Sequence, residues 1–315
     1  MQHPARDNPE QTDLLLVNPT AGGGRGTAVL SDLRRFASLR GWSVEICVTQ
    51  NPDDLVARAR RAAKLGRKRI FVLGGDGTFH LLLNAVAAYA GLVLGVIPAG
   101  GGNDLSAALG LPADPIEATA LLLEGQPREL DIVRVRTSDG NERFYSGGGG
   151  VGLDSAAVRH ANGAYRILPG RSRYVLSAVR ALFGFRAIQV RITVGANESQ
   201  PLEASALLVG ALNTPSYGGG LYLAPNAKID DGSLEVILLE NLSVGQILKL
   251  LPALAFRGEL KTQRLRRIST PHVRIESDPP CWFHGDGELL GLTPVDVSIV
   301  PKAVRVLGPA KNTEG

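Results

Sequence analysis

RIFVLGGDGTFHLLLNAV, Arg69 to Val86, changes its rhythm halfway along. Residues 69–73 are a short apolar run of the kind that fills a buried strand, and from about Thr78 to Ala90 the apolar positions recur at helical spacing. Between them stand Gly74, Gly75, Asp76 and Gly77, a turn with almost no side-chain bulk. Strand, glycine turn and helix in that order read as one βα unit, and the flanking sequence repeats it. Upstream, residues 13–18 and 43–49 read as strands, 27–40 as an amphipathic helix closed by Gly41, and 52–65 as a helix with Pro52 at its start. Downstream, residues 92–97 form another apolar run, followed by the short helical pattern NDLSAALG. Strands alternating with helices predict a parallel sheet covered on both faces, an α/β domain.

Three glycine-rich turns follow strands in this region: Asn18-Pro19-Thr20-Ala21-Gly22-Gly23-Gly24, Gly74-Gly75-Asp76-Gly77-Thr78, and Pro98-Ala99-Gly100-Gly101-Gly102-Asn103-Asp104. All three fall at the carboxyl edge of one sheet, where open α/β folds bind ligands. Glycines let backbone amides approach an anion, and helix N-termini add unpaired N–H groups. Together the turns predict a phosphate cradle, although each alone could be a tight turn. Asp76 would repel phosphate unless it binds metal or takes a proton; the plain alternative is a helix N-cap. No GxxxxGK[ST] loop is present. Gly147, Gly149 and Gly152 match GxGxxG, but no acid lies about 20 residues downstream, so the match reads as accidental and the glycines as a crowded turn near the domain junction.

Near Pro127 the rhythm changes again. Residues 129–147 read as paired strands around the turn Ser138-Asp139-Gly140-Asn141. Strands are expected at 187–194, 203–212, 233–239, 272–276, 281–284, 295–300 and 303–307, with helices at 153–162, 172–184 and 243–257. This predicts a mostly antiparallel second domain, with the boundary at 123–128. Asp286-Gly287-Glu288 follows the strand pattern CWFH and could serve as base or metal ligand, or simply turn a hairpin. Asp230-Asp231-Gly232 has the same ambiguity.

The chain of 315 residues is 44% hydrophobic and 20% charged, which suits a two-domain globular protein rather than a disordered one. No apolar run approaches about 18 residues, so no membrane span is expected, and the polar first residues do not read as a secretory signal. Cys47 and Cys281 are expected as free thiols in a reducing, cytoplasmic setting, and no Cys/His cluster has zinc spacing. The net charge is only +4, yet residues 155–197 hold seven arginines and no acid, and Lys261, Arg264, Arg266, Arg267 and Arg274 form a second acid-free group. Such stripes suit an anionic membrane surface or a solvated face. They lack the interleaved aromatics that stack on nucleic-acid bases, so no nucleic acid is expected as a partner.

Taken together, VNPTAGGG, VLGGDGTFHLLLNAV, IPAGGGNDLSAALG, YGGGLYLAPNAKIDDGSLEV and GDGE followed by TPVDVSIVPKAVRVLGP resemble the diacylglycerol kinase catalytic-domain family. That family includes sphingosine and ceramide kinases and bacterial relatives. The blocks span residues 13–308, and GGDGT alone is shared with NAD kinases. The resemblance implies a phosphofructokinase/NAD-kinase-like α/β domain at 13–125, with 302–310 packing back on it. It also implies a β-sandwich-like, lipid-substrate domain at 126–301, with the active site in the cleft between them. It implies ATP and Mg²⁺ as cofactors. By position, Asn18, Thr49, Gly74, Gly75, Asp76, Gly77, Thr78, Gly100 and Asn103 would line the nucleotide site. Asp76, or Asp286 and Glu288, would act as base. Lys228, Asp231 and Ser233 would hold magnesium, Lys228 and Ser233 through backbone carbonyls. Two departures stand out: Gly101 replaces a hydroxyl residue usual in relatives, and Leu81 stands where many have Glu.

The activity expected is transfer of the ATP γ-phosphoryl group to a lipid hydroxyl, met at an anionic membrane surface by a cytoplasmic, peripherally bound enzyme. YVLSAVRALF and ILKLLPALAF could shape the lipid pocket or be ordinary core helices. The rivals are an NAD kinase and a non-catalytic lipid- or nucleotide-binding relative. The sequence leaves the lipid, and a homodimer, open.

Overall fold

The computed structural model describes residues 12–162, 176–177, 180–195, 200–247, 249 and 262–310. They divide into two compact units, Met1–Glu129 with Val304–Gly315, and Leu130–Ala303.

In the first unit, β1 (Asp13–Val17) lies between β2 (Val44–Val48) and β3 (Arg69–Gly74), and β3 also pairs with β4 (Val93–Pro98). Every pairing is parallel, because each strand returns through a helix: α1 (Arg25–Ala28) and α2 (Leu30–Leu39), then α3 (Pro52–Lys64), then α4 (Asp76–Val86). Leu15 to Val17 and Ile70 to Leu73 are fully buried, as expected for strands covered on both faces. The edge strand β2 is only half-buried. Asn51 caps α3 through its side chain, which accepts from the Asp54 amide at 2.8 Å, with Pro52 at the first helical position. Beyond β4 come α5 (Asp104–Ala108) and a helix absent from the sequence reading, α6 (Pro115–Glu124), capped by Asp114.

The second unit is antiparallel. Its strands are β5 (Gln126–Thr137), β6 (Glu142–Tyr145), β7 (Gly148–Gly152), β8 (Ile188–Val194), β9 (Leu202–Leu212), β10 (Leu234–Glu240), β11 (Leu265–Thr270), β12 (His272–Asp278), β13 (Trp282–Gly285), β14 (Glu288–Leu292) and β15 (Val295–Gly308). β5 begins and β15 ends in the first unit. The order β14-β13-β7-β9-β8-β12-β15 is joined by β10, which pairs with β9 and β11. Val133, Tyr145, Val151, Val190, Val209, Val273 and Phe283 pack in its main core. α7 (Leu153–Asn162) follows β7.

Three expectations are corrected. The Gly147–Gly152 run is not a turn: Gly148 to Gly152 form β7, paired with β9 and β13 and fully buried. Residues 295–307 make one strand rather than two. Pro301-Lys302 reads as a break, but Lys302 adopts a left-handed conformation inside the strand and its amide donates to Asp131 Oδ1 at 2.7 Å. Asp76 is not an N-cap; Gly75 holds that position and the helix starts at Asp76 itself. The strands β11 and β14 were also missed, the first inside a basic stretch and the second behind an Asp-Gly turn. Of the expected helices at 172–184 and 243–257, residues 176–177, 180–184, 244–247 and 249 are helical, and the rest lie outside the described residues.

Candidate active site

The three glycine turns of the first unit touch one another. A Cβ on Gly100 would stand 2.4 Å from Gly75 Cα, and one on Gly22 would stand 2.2 Å from the Ala99 carbonyl oxygen. Only glycine allows this approach. Asn103 holds the third turn closed: its Oδ1 accepts from the Gly100 amide at 2.9 Å and its Nδ2 donates to the Gly100 carbonyl at 3.1 Å. Asn18 links the first turn to the second by donating to Thr78 Oγ1 at 2.9 Å, while its Oδ1 accepts from the amide and hydroxyl of Thr20. Thr49 is buried at the end of β2, and its hydroxyl donates to the Val17 carbonyl, one residue before Asn18. Thr78 makes the first backbone bond of α4, to the Gly75 carbonyl, so the Gly77 amide precedes it, as an anion-binding helix start requires.

Asp76 sits half-buried in the first turn of α4, and its Oδ1 accepts from the Leu105 amide at 3.1 Å. Its carboxylate thus caps the neighbouring helix α5 rather than its own. The residues expected to line the nucleotide site in this unit are therefore joined by one set of contacts, except Gly77, which is placed by the helix alone.

In the second unit, Asp286 and Gly287 are the two central residues of the β13–β14 hairpin, with φ of 50° and 84°; Gly285 pairs with Glu288 across it. Two successive positive φ values define the turn type that Asp-Gly favours. The residue does more than turn the chain, because the Asp286 carboxylate gathers three donors: the Ser146 amide at 2.9 Å, the Ser146 hydroxyl at 3.1 Å and the Gly147 amide at 2.9 Å. Beneath it, burial and, to a lesser degree, the Asp286 carboxylate push the Tyr145 phenol well above its ordinary pKa, so it stays protonated and donates to the Ala211 carbonyl. Glu288 is exposed at the start of β14.

Lys228, Asp231 and Ser233 lie on the loop before β10. Asp231 is exposed, and its Oδ1 accepts from the Ser233 amide at 3.0 Å. Its Oδ2 has no partner among the described residues. One exposed carboxylate beside backbone carbonyls suits a hard cation that keeps most of its waters, and so fits Mg²⁺. No group of three or more His, Cys, Asp or Glu able to hold a metal occurs among the described residues.

Two residues overlooked in the sequence tie this loop to the hairpin. Asp131, fully buried in β5, accepts from the Gly232 amide at 2.7 Å as well as from Lys302. Asn213, fully buried after β9, donates to both the Asp131 and Ser146 carbonyls at 3.0 Å. The signal was an acid inside an apolar strand, Leu130-Asp131-Ile132-Val133, which only a structural partner could explain.

Comparison with known proteins agrees with both units. The diacylglycerol kinase catalytic domain matches residues 13–135, and the YegS C-terminal NAD kinase beta sandwich-like domain matches residues 149–308. A diacylglycerol kinase of Mycobacterium tuberculosis (strain H37Rv) is 32% identical over 93% of this chain and 94% of its own length. A protein of Stenotrophomonas maltophilia named "probable lipid kinase YegS-like" is 28% identical over 86% of this chain and 88% of its own length. Among solved structures, a diacylglycerol kinase from Bacillus anthracis shares the fold with a TM-score of 0.70 at 22% identity, covering 95% of this chain and 97% of that one. Yeast NADH kinase shares it more loosely, with a TM-score of 0.51 at 11% identity over 98% and 89%. The class these features define is a kinase with an NAD-kinase-like fold. Within that class, the chain belongs to the diacylglycerol kinase catalytic-domain family of lipid kinases.

Proposed function

We propose that this chain transfers the γ-phosphoryl group of ATP to the hydroxyl of a lipid, either diacylglycerol or a sphingoid-type lipid. The observation that carries the reading is the joined set of glycine turns, Gly74–Thr78 against Gly100 and Asn103, in a chain of this family. Phosphoryl transfer needs positioning and charge neutralisation more than covalent help. Backbone amides at the start of α4 and in the turns would hold the phosphates, with Asn18 and Thr49 fixing the first turn and the end of β2. Lys228, Asp231 and Ser233 would hold Mg²⁺, which when bound neutralises phosphate charge. Asp76, or Asp286 with Glu288, would take the proton as the lipid oxygen attacks phosphorus in line and ADP leaves.

The acceptor would be met at an anionic membrane surface by a peripherally bound, cytoplasmic enzyme. No described helix is long and apolar enough to cross a membrane. Supporting surface contact, Leu176 and Phe183 are exposed, the latter at 71%, with Arg180 and Arg186 exposed nearby in the chain. Each arginine near anionic lipid would contribute about 1 kcal/mol.

Phosphate transfer from labelled ATP and Mg²⁺ to diacylglycerol, sphingosine, ceramide and undecaprenol in mixed micelles, with NAD alongside, tests the reading. Label in one lipid is expected. Label in NAD alone would favour the NAD kinase alternative that the yeast NADH kinase likeness keeps in view. ATP binding without transfer to anything would favour the non-catalytic alternative suggested by Gly101 and Leu81.

A further inference from the structure

Phosphate binding does not account for the four successive glycines Gly147–Gly150. Their surroundings do. A Cβ on Gly148 would lie 2.6 Å from the Tyr217 ring, and one on Gly150 would lie 2.5 Å from Asp154 Oδ2. Neither neighbour is flexible filler. Asp154 Oδ2 accepts from the Tyr217 hydroxyl at 2.8 Å and stands 3.0 Å from His284 Nε2, and Tyr217 and His284 also meet each other. The Tyr217 and His284 rings stack with centroids 5.7 Å apart. His284 is 1% exposed and pairs with Gly150 across the sheet.

The Tyr217 hydroxyl and His284 Nε2 converge on Asp154 Oδ2, while Asp154 Oδ1 accepts from the Ser155 amide at 2.7 Å. His284 Nδ1 is buried without a hydrogen-bond partner among the described residues. A buried polar cluster that also requires strand glycines is a destabilising choice compared with apolar packing. What such a cluster gives is one fixed geometry.

Three chain segments meet at that single oxygen: the start of α7 through Asp154, the YGGG loop through Tyr217, and β13 through His284. Two residues beyond His284 comes Asp286, at the hairpin tip. Asp286 is bound in turn to Ser146 and Gly147, immediately before β7. The hairpin is therefore held at its tip and again one step down its strand.

We propose that Asp154, Tyr217 and His284 are positioning residues for the Asp286 carboxylate, and that the glycine run exists to admit them. The proposal rests on the lipid kinase reading, in which Asp286 takes part in turnover. The test compares His284→Ala, His284→Gln and Tyr217→Phe in the full chain, using the lipid substrate identified in the panel. His284→Ala is expected to lower kcat at least about tenfold, with the KM for ATP within about twofold of wild type. Hydrogen exchange in residues 282–292 should rise without change in the glycine turns of the first unit. Gln, which keeps a donor near Nε2, should restore most of the rate, and Tyr217→Phe should fall between. In an Asp286→Asn background, His284→Ala should cost nothing more, because it acts through Asp286.

Wild-type kcat in all three variants, unchanged exchange in the hairpin, or an undiminished effect in the Asp286→Asn background would each overturn the positioning role. If His284→Ala does not fold, the near-isosteric Tyr217→Phe and His284→Gln decide the matter by the same readouts. A wild-type chain that phosphorylates no lipid would sink the kinase reading itself and the positioning role with it. That result is distinct from an active wild type with indifferent variants.

Discussion

Asp76-Gly77 and Asp286-Gly287 are the same dipeptide put to opposite structural use. In the first unit, Asp76 has ordinary helical backbone, opens α4, and lends its carboxylate to the amide of another helix. In the second, Asp286 turns a hairpin with positive φ and draws three donors onto its own carboxylate. What separates them is the neighbourhood. TFHLLLNAV continues at helical spacing, whereas FHG and ELL flank the other pair with strand-like segments. The dipeptide supplies an acid and a flexible residue; the following period decides whether backbone or side chain makes the site.

The sharpest way to break this comparison is to remove each charge in turn. Asp76→Asn keeps an acceptor for Leu105 and should leave folding intact while lowering kcat by at least about 100-fold, the scale of general-base help. Asp286→Asn should lower kcat comparably if the two acids share the work. A near-normal rate in either variant, read by the labelled-ATP assay, would strike that residue from the chemistry.

The backbone half is tested at Gly100. Gly100→Ala forces a Cβ to within 2.4 Å of Gly75 Cα, so the two turns must part. ATP affinity measured by calorimetry should weaken by about tenfold or more, roughly 1.4 kcal/mol. Gly184→Ala, whose Cβ would meet nothing within 4 Å and whose backbone, like that of Gly100, has no positive φ, serves as the control for an added methyl alone. Equal affinity in both variants would show that the contact between turns does not shape the nucleotide site. The smallest effect is expected from Asn51→Ala, which removes the side-chain cap of α3. It should cost about 1 kcal/mol of stability in urea unfolding and leave turnover unchanged.

The parallel unit was legible because its signals are local. Each strand, turn and helix announces itself within about twenty residues, as Arg69–Val86 shows. The second unit hid more. Gly148–Gly152 looks like a turn by composition and is a buried strand, because the bulk missing from its own side chains is supplied by Tyr217 and Phe283 from distant segments and by Tyr145 and Asp154 from its own flanks. Asp131 and Asn213 were overlooked because what gives them a role is remote: their side-chain partners lie 67 to 171 residues away. The residues matched by family resemblance in the first unit are drawn together by direct contacts. Those in the second depend on a buried network that no spacing rule describes.

The first unit is assembled from both ends of the chain. Arg305 and Val306 pair with Val93 and Leu94 on the outer side of β4. During synthesis, β4 leaves the ribosome more than two hundred residues ahead of that partner. Its outer edge must wait, unpaired, until that partner has been made. The first unit, although begun first, is therefore completed only after the second has been made, and a product cut short near residue 300 would carry an open strand edge of the kind that invites aggregation.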